Sequence, residues 1–303
     1  MLSRKKIIIG LSLVFTLFLV WYLFVKKSDY IISFKVKAAT GTVFQCVNEW
    51  TANQTTIKKG SYSLLEKNNF DFIKQEMKNG QTHMQYIWEM VPINDSITQV
   101  NVGIKDIENT LYNRISAPFF NTNFKKEQIN KITDFKLGID EHLKKFKIRI
   151  DGEGTTKEIF VAYVSLKSVL QEKARNMIAS DGDITGFLYK NKIKIIENPY
   201  LEITNWNFEN ETIEFDYCFP IPKNTKIIAD NLVKFKTIPA IKGLKATYFG
   251  NFRTSDKAWF TLLDYAKKHD FKLQNRVLEH FMANPFNGGD ELSWETKIII
   301  PFE

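Results

Sequence analysis

From Ile7 to Val25 the chain runs 19 residues without a charge, IIIGLSLVFTLFLVWYLFV. As a helix rising 1.5 Å per residue this stretch covers about 28 Å, close to the hydrocarbon thickness of a bilayer. Trp21 and Tyr22 stand near one end, where amphipathic rings favour the interface. No small-x-small site follows in VWYLFVKKSDY, so residues 1–28 read as an uncleaved anchor rather than a removed signal peptide. Arg4, Lys5, Lys6 and the terminal amine outweigh Lys26 and Lys27 on the far side. That places the N-terminus in the cytoplasm and the folded bulk outside it, as in a single-pass protein of a bacterial inner membrane.

Past the anchor the period changes to two. In YIISFKVKA (Tyr30–Ala38), Ile32, Phe34 and Val36 share one face of a half-buried strand. TGTVFQCVNEW then brings Val43, Phe44 and Val47 together at helical spacing. SYSLLEK, FDFIKQEM, THMQYIWEM and ITQVNVGI follow as strands, divided by the turn-forming KNN, KNGQ and PINDS. Met84, Tyr86, Trp88 and Met90 fall on one face of the third, and Val100, Val102 and Ile104 on one face of the fourth. In TNFKKEQINKITDFKLGIDEHLKKFKIRI, Ile132, Phe135, Ile139, Leu143 and Phe146 recur at steps of three or four, predicting a long amphipathic helix with a weak point at Gly138. The first soluble unit is thus expected over residues 29–150, and DGEGTT (Asp151–Thr156) reads as a hinge.

Residues 155–303 repeat themselves. A strand EIFVAYVSL, a helical KSVLQEKARNMIA, GFLYKNKIKIIENPY and a strand ETIEFDYCFPIP make the first copy, about 155–222. KGLKATYFGNF, helical SDKAWFTLLDYAKKHD, FKLQNRVLEHFMANPF and SWETKIIIPF make the second, about 235–303. Asn198-Pro199-Tyr200 aligns with Asn284-Pro285-Phe286, Glu214 with Glu295 and Pro220 with Pro301, and Tyr163 with Tyr248. Two strand–helix–strand–strand halves about a pseudo-twofold axis are the expectation, and the fold class is α+β.

The closing strands carry acids where an apolar residue would be ordinary. By period two, Trp294, Thr296, Ile298 and Ile300 share one face of the last strand; Glu295, Lys297 and Ile299 share the other. In the first copy Ile213, Phe215, Tyr217 and Phe219 oppose Glu214, Asp216 and Cys218. The apolar faces should lie under the helices, leaving the acid-bearing faces toward a hollow between the halves. A carboxylate there needs a hydrogen bond or a cation, so Glu295 and Glu214 are candidate ligand contacts, with Trp294, Tyr248 and Tyr163 as aromatic walls. The alternative is that Glu295 pairs across the strand or faces water, and that the tyrosines only pack. Trp259 and Phe260 read as core.

Charge narrows the field. The total is +8, yet residues 1–37 hold seven basic side chains against Asp29, so +6 belongs to the anchor region and only +2 to the other 266 residues. A nucleic-acid partner loses its electrostatic support. Cys46 and Cys218 are far apart and in no metal spacing; one disulfide stays open. His83, His142, His269 and His280 form no ligand pattern, so neither metal nor cofactor is expected. No G-x-S-x-G, P-loop or G-x-G-x-x-G is present.

Two resemblances add to this reading. YIISFKVKAATGTVFQCVNEWTAN, with its strand running into a helix that bears Val-Phe and then Trp, resembles the START-like (SRPBCC, polyketide cyclase-type) superfamily. That resemblance implies a curved sheet gripping the long helix around an apolar cavity, which Met84, Tyr86 and Trp88 would line if they do not merely fill the core. TYFGNF, KAWFTLLDYAKK, EHFMANP and WETKIIIP, in that order, resemble the gyrase-inhibitory-protein-like family, the effector-binding domain of AraC-type and multidrug-sensing regulators. It implies a cleft whose glutamate receives small cationic or aromatic ligands. The expected function is a membrane-tethered small-molecule binding protein without a DNA-binding domain. The alternatives are a hydrolase of strained electrophiles that uses Glu295 of the Trp294-Glu295 pair as general base, and an envelope module that binds other proteins.

Overall fold

The computed structural model describes residues 4–57, 62–80, 82–283 and 288–303. The chain is mixed α and β, with two antiparallel sheets and an apolar N-terminal helix, and it divides into two compact units, Met1–Asp140 and Glu141–Glu303.

The first unit opens with α1 (Arg4–Val20), continued by one π-helical turn, Trp21–Val25. Lys5–Val25 is long and apolar enough to cross a membrane, and its side chains lie outside any core. A five-stranded sheet follows in the order β1-β5-β4-β3-β2, built from β1 (Tyr30–Val36), β2 (Tyr62–Asn68), β3 (Phe72–Asn79), β4 (Thr82–Asn94) and β5 (Ile97–Asp106). α2 (Thr40–Ile57) buries Val43, Phe44 and Val47. A short α3 (Thr110–Ser116) precedes the long α4 (Asn123–Leu143). α4 buries Ile132, Phe135 and Ile139, each worth about 1.5–3 kcal/mol on burial. Phe135 lies 4.7 Å from Trp88 and 5.4 Å from Trp50, ring centre to ring centre.

The long helix stops at Leu143, earlier than its apolar spacing suggests. Phe146 instead begins β6 (Phe146–Thr155), so Asp151–Thr156 is not a hinge but mostly strand, paired with β11 (Lys242–Gly250). KFKIRI alternates as well as it spirals, and hydrogen bonds offered by a neighbouring edge decide for the strand.

The second unit holds β7 (Ile159–Val169), α5 (Lys173–Lys190), β8 (Tyr200–Asn207), β9 (Thr212–Pro220), β10 (Lys234–Ile238), β11, α6 (Asp256–Lys268), β12 (Val277–Phe281) and β13 (Glu295–Pro301). Its eight-stranded sheet runs β10-β7-β9-β8-β12-β13-β11-β6. The duplication is explicit in this order: β7-β9-β8 mirrors β11-β13-β12, and the halves join along β8 and β12. β10, not foreseen in the sequence, lies at the start of the second half but pairs with β7 of the first, and β6 precedes the first half but pairs with β11 of the second. α5 starts later than expected and runs on through Gly182 and Gly186.

Register tests the alignment of the copies. Glu214 with Glu295 and Pro220 with Pro301 agree with the equivalence of β9 and β13. Tyr163 with Tyr248 does not. Tyr163 faces Cys218, whose equivalent 81 residues on is Ile299, and Ile299 faces Lys245. Lys245 is therefore the counterpart of Tyr163, and the two tyrosines point to opposite sides of the sheet. Asn198-Pro199 precedes β8, whereas Asn284, Pro285 and Phe286 lie outside the described residues, after β12.

Candidate functional site

Alternation in β9 and β13 sorts the second unit's sheet as the sequence indicates. Tyr217 and Phe219 face α5, Ile213 and Phe215 share their side of β9, and Trp206, paired with Ile213, packs on Trp259 and Phe260 of α6. The opposite face carries the acids. There Glu295 is paired with Lys297 at 2.7 Å, each side chain 37% exposed. Glu214 is paired with Lys167 at 2.8 Å and is 45% exposed. β9 and β13 lie three strand spacings apart, about 14 Å, and the register sets Glu214 level with the far end of β13, about 20 Å along the strand from Glu295, so the two acids are about 25 Å apart. Trp294 is half-buried in the turn before β13, and its carbonyl accepts from Gly250 N–H. Tyr163 shares the acid face and lies under the Lys236 ammonium, 4.4 Å from its ring centre. Tyr248 is fully buried on the helix side, its hydroxyl 2.6 Å from Thr254 Oγ1. These five residues do not converge on one place.

The acid face does hold a groove of about 510 Å³. Its floor is Tyr200, Leu278 and Ile299, and His280 stacks flat on Tyr200, ring centres 3.9 Å apart and 9° from parallel. Lys297 lines the groove; Glu295 is not among the lining residues. Beside it Glu202 and Asp216 share Lys236, and Arg276 closes on Glu202 at 2.7 Å.

The helix face carries a different arrangement. A pocket of about 380 Å³ is walled by Tyr217, Phe219, Phe252 and Phe281, with Met177 along one side. One carboxylate, Asp181 of α5, lines it and accepts from the Tyr217 hydroxyl at 2.9 Å. Burial, and then the Asp181 charge, push the Tyr217 phenol upward, so it stays protonated and able to donate.

Two residues from Phe281 on the same side of β12 stands Glu279, with no exposed surface. Its position is special. Tyr200 faces His280 and Glu202 faces Leu278, so the pseudo-twofold axis passes through the pair Leu201 and Glu279. Glu279 accepts from Trp259 Nε1 at 2.7 Å and from Lys173 Nζ at 3.5 Å; Lys173 also donates to Ser255 Oγ at 2.8 Å and lies 4.5 Å from the Trp259 ring centre. Burial raises the Glu279 carboxyl, and Lys173 opposes the shift. Sequence reasoning overlooked both Asp181 and Glu279. The signal for Glu279 was present: RVLEHF alternates, and an acid between Val277 and Phe281 is as anomalous as Glu295.

In the first unit Met84, Tyr86 and Trp88 are buried on the inner face of β4. Tyr86 donates to Gln128 Oε1 at 2.8 Å, and Lys131 reaches Tyr86 Oη at 3.0 Å. Among the described residues, both polar atoms of the Gln75 amide and Trp88 Nε1 are buried with no hydrogen-bond partner. Each such group costs about 1–3 kcal/mol unless a water or ligand meets it. Cys46 and Cys218 are both buried, and no disulfide joins them. No cluster of three or more His, Cys, Asp or Glu suited to a metal occurs among the described residues.

No protein-family model matches the chain, and no curated protein does. Among solved structures it is similar to the EcmrR–DNA complex (16% identity, 59% of this chain and 68% of that one, TM-score 0.44). It is also similar to the EcmrR C-terminal domain (15% identity, 52% and 98%, TM-score 0.44). Over 90% of this chain and 85% of the other it is similar to the di-domain ARO/CYC StfQ (10% identity, TM-score 0.23). With these scores below 0.5, the functional reading rests on the geometry of the site itself.

Proposed function

We propose that the chain is a membrane-anchored binding protein for a small lipophilic cation, held in the pocket between α5 and the sheet of the second unit. One observation carries this reading: four aromatic rings enclose a single carboxylate, Asp181, in a space of about 380 Å³. Such a volume suits a drug-sized molecule, aromatic faces attract cations, and a charge in apolar surroundings is stabilised most by an opposite charge. α1 with its π turn supplies the tether, and the small charge of the remaining chain gives no support to nucleic acid as a partner. Glu295 and Glu214, each already ion-paired at the rim of the sheet, are less suited to receive a cation than Asp181.

The test is equilibrium dialysis of the full chain in detergent with tetraphenylphosphonium and with its isosteric anion, tetraphenylborate. Comparing native protein with Asp181→Asn cancels partitioning into micelles. The cation should bind the native protein, Asp181→Asn should weaken it about tenfold, or 1.4 kcal/mol, and the anion should not follow that pattern. Equal cation affinity in native protein, Asp181→Asn and Phe281→Ala would exclude this pocket.

A further inference from the structure

Five large apolar side chains crowd a ten-residue stretch that the proposed function does not use. Leu111 is 48% exposed, Tyr112 66%, Ile115 57%, Phe119 80% and Phe120 66%. They sit on the outward side of α3 and on the turn after it, while Asn113, Arg114, Ser116 and Ala117 face inward. Continuous apolar surface of this kind marks a contact with protein or lipid.

What covers it is indicated by how α3 is held. Arg114 is 1% exposed, and its guanidinium closes the end of the apolar helix. Nε donates to Asp29 Oδ1 at 2.8 Å, one terminal nitrogen donates to the Leu23 carbonyl at 2.7 Å, and the other to the carbonyl of Lys26. The Tyr22 hydroxyl answers by donating to the Arg114 carbonyl at 2.9 Å. Asp29 in turn accepts from the Asp106 N–H at 2.9 Å, which ties the knot to the end of β5. A helix end leaves carbonyls without partners, and one planar guanidinium supplies several donors to them. α3 is thereby fixed at the level of Trp21, Tyr22, Lys26 and Lys27. That is the level where aromatic and basic residues flank a membrane span. Tyr112, Phe119 and Phe120 extend the aromatic belt sideways, and Lys26 and Lys27 suit anionic headgroups beside it.

We propose that α3 and the turn Ala117–Phe120 form an interfacial foot, lying in the headgroup layer of the bilayer that α1 crosses, with Leu111, Tyr112, Ile115, Phe119 and Phe120 inserted. The foot rests on the anchoring part of the reading above. It makes the helix exit a rigid joint, because Arg114 couples the span to the folded unit.

The test uses the full chain in vesicles of phosphatidylcholine and phosphatidylglycerol, with an environment-sensitive fluorophore on Phe119→Cys, Phe120→Cys or, within the span, Phe15→Cys. Cys46 and Cys218 are buried, so labelling is directed to the introduced thiol. Emission from positions 119 and 120 should shift to the blue and be lost to lipids carrying a shallow nitroxide more than to lipids carrying a deep one. Position 15 should show the reverse order. If position 15 is quenched and 119 and 120 are not, the foot is overturned and the anchor stands. If position 15 is not quenched, the anchor falls and the foot with it. A blue shift at 119 that ignores the nitroxide lipids and fades on protein dilution would identify a second copy as the occupant, and would overturn the foot as well.

Discussion

At the scale of single residues, the balance of charge at Glu279 is the most consequential feature of the second unit. Glu279 and Lys173 are removed from water together with Asp256, 4.0 Å from Lys173, and Lys257, 3.7 Å from Asp256, and among the described residues Trp259, Ser255 and Lys173 take the place of water at the Glu279 carboxylate. Lys173→Met would leave that carboxylate buried without a cation, a change expected to cost about 3–5 kcal/mol. Adding Glu279→Gln should recover most of this, since the amide oxygen still accepts from Trp259. Because burial makes deprotonation of Glu279 harder in the folded state, the penalty in Lys173→Met should grow as pH rises through the raised range of the carboxyl and be smaller at acid pH, where the carboxyl is protonated. Urea denaturation of both variants at two pH values measures this; a loss below about 1 kcal/mol for Lys173→Met would show that water reaches the site.

At the scale of elements, strand pairing decides what local pattern leaves undecided. The alternation of ETIEFDYCFP and WETKIIIP was readable directly, and so was the equivalence of Glu214 with Glu295. Tyr163 and Tyr248 could not be aligned the same way, because a shift of three residues reverses a side chain's face and only the neighbouring strand sets the register. β6 shows the same limit: KFKIRIDGEGT satisfies a helix, a hinge and a strand until β11 offers its hydrogen bonds. On its other side β11 pairs with β13, and Gly243 makes the closeness of that pairing measurable. A Cβ added there would stand 2.1 Å from the Ile300 carbonyl oxygen, a backbone atom that cannot swing aside. Gly243→Ala should therefore destabilise the second unit by roughly 1–3 kcal/mol in thermal or chemical denaturation, the usual cost of overpacking. Gly182→Ala in α5, where an added Cβ meets nothing within 4 Å, should not destabilise.

At the scale of the whole molecule, the proposed anchoring depends on one segment, Lys5–Val25, long and apolar enough to cross a membrane. Leu13 and Leu17 lie along α1, both about 60% exposed among the described residues. Arginine at the centre of a span costs roughly 2.5–3.5 kcal/mol per residue, so Leu13→Arg with Leu17→Arg should release the chain from membranes washed in alkaline carbonate. Release of the native chain under the same wash, or retention of the double variant, would remove the anchor from the account.

The sequence by itself determined which residues travel together: the uncharged run from Ile7 to Val25, the two-sided strands, the helix stripe of Ile132, Phe135 and Ile139, and the duplication of the second unit. Those are consequences of chain periodicity, which relates side chains a few positions apart. Only the tertiary structure decided which side of each strand would be roofed by helices, that Asp181 would meet four rings from β9, β12 and the turn before α6, and that Glu279 would stand on the axis against Lys173, 106 positions away in the chain. Periodicity states that two side chains point the same way, but burial and charge pairing depend on what the rest of the chain brings to that side.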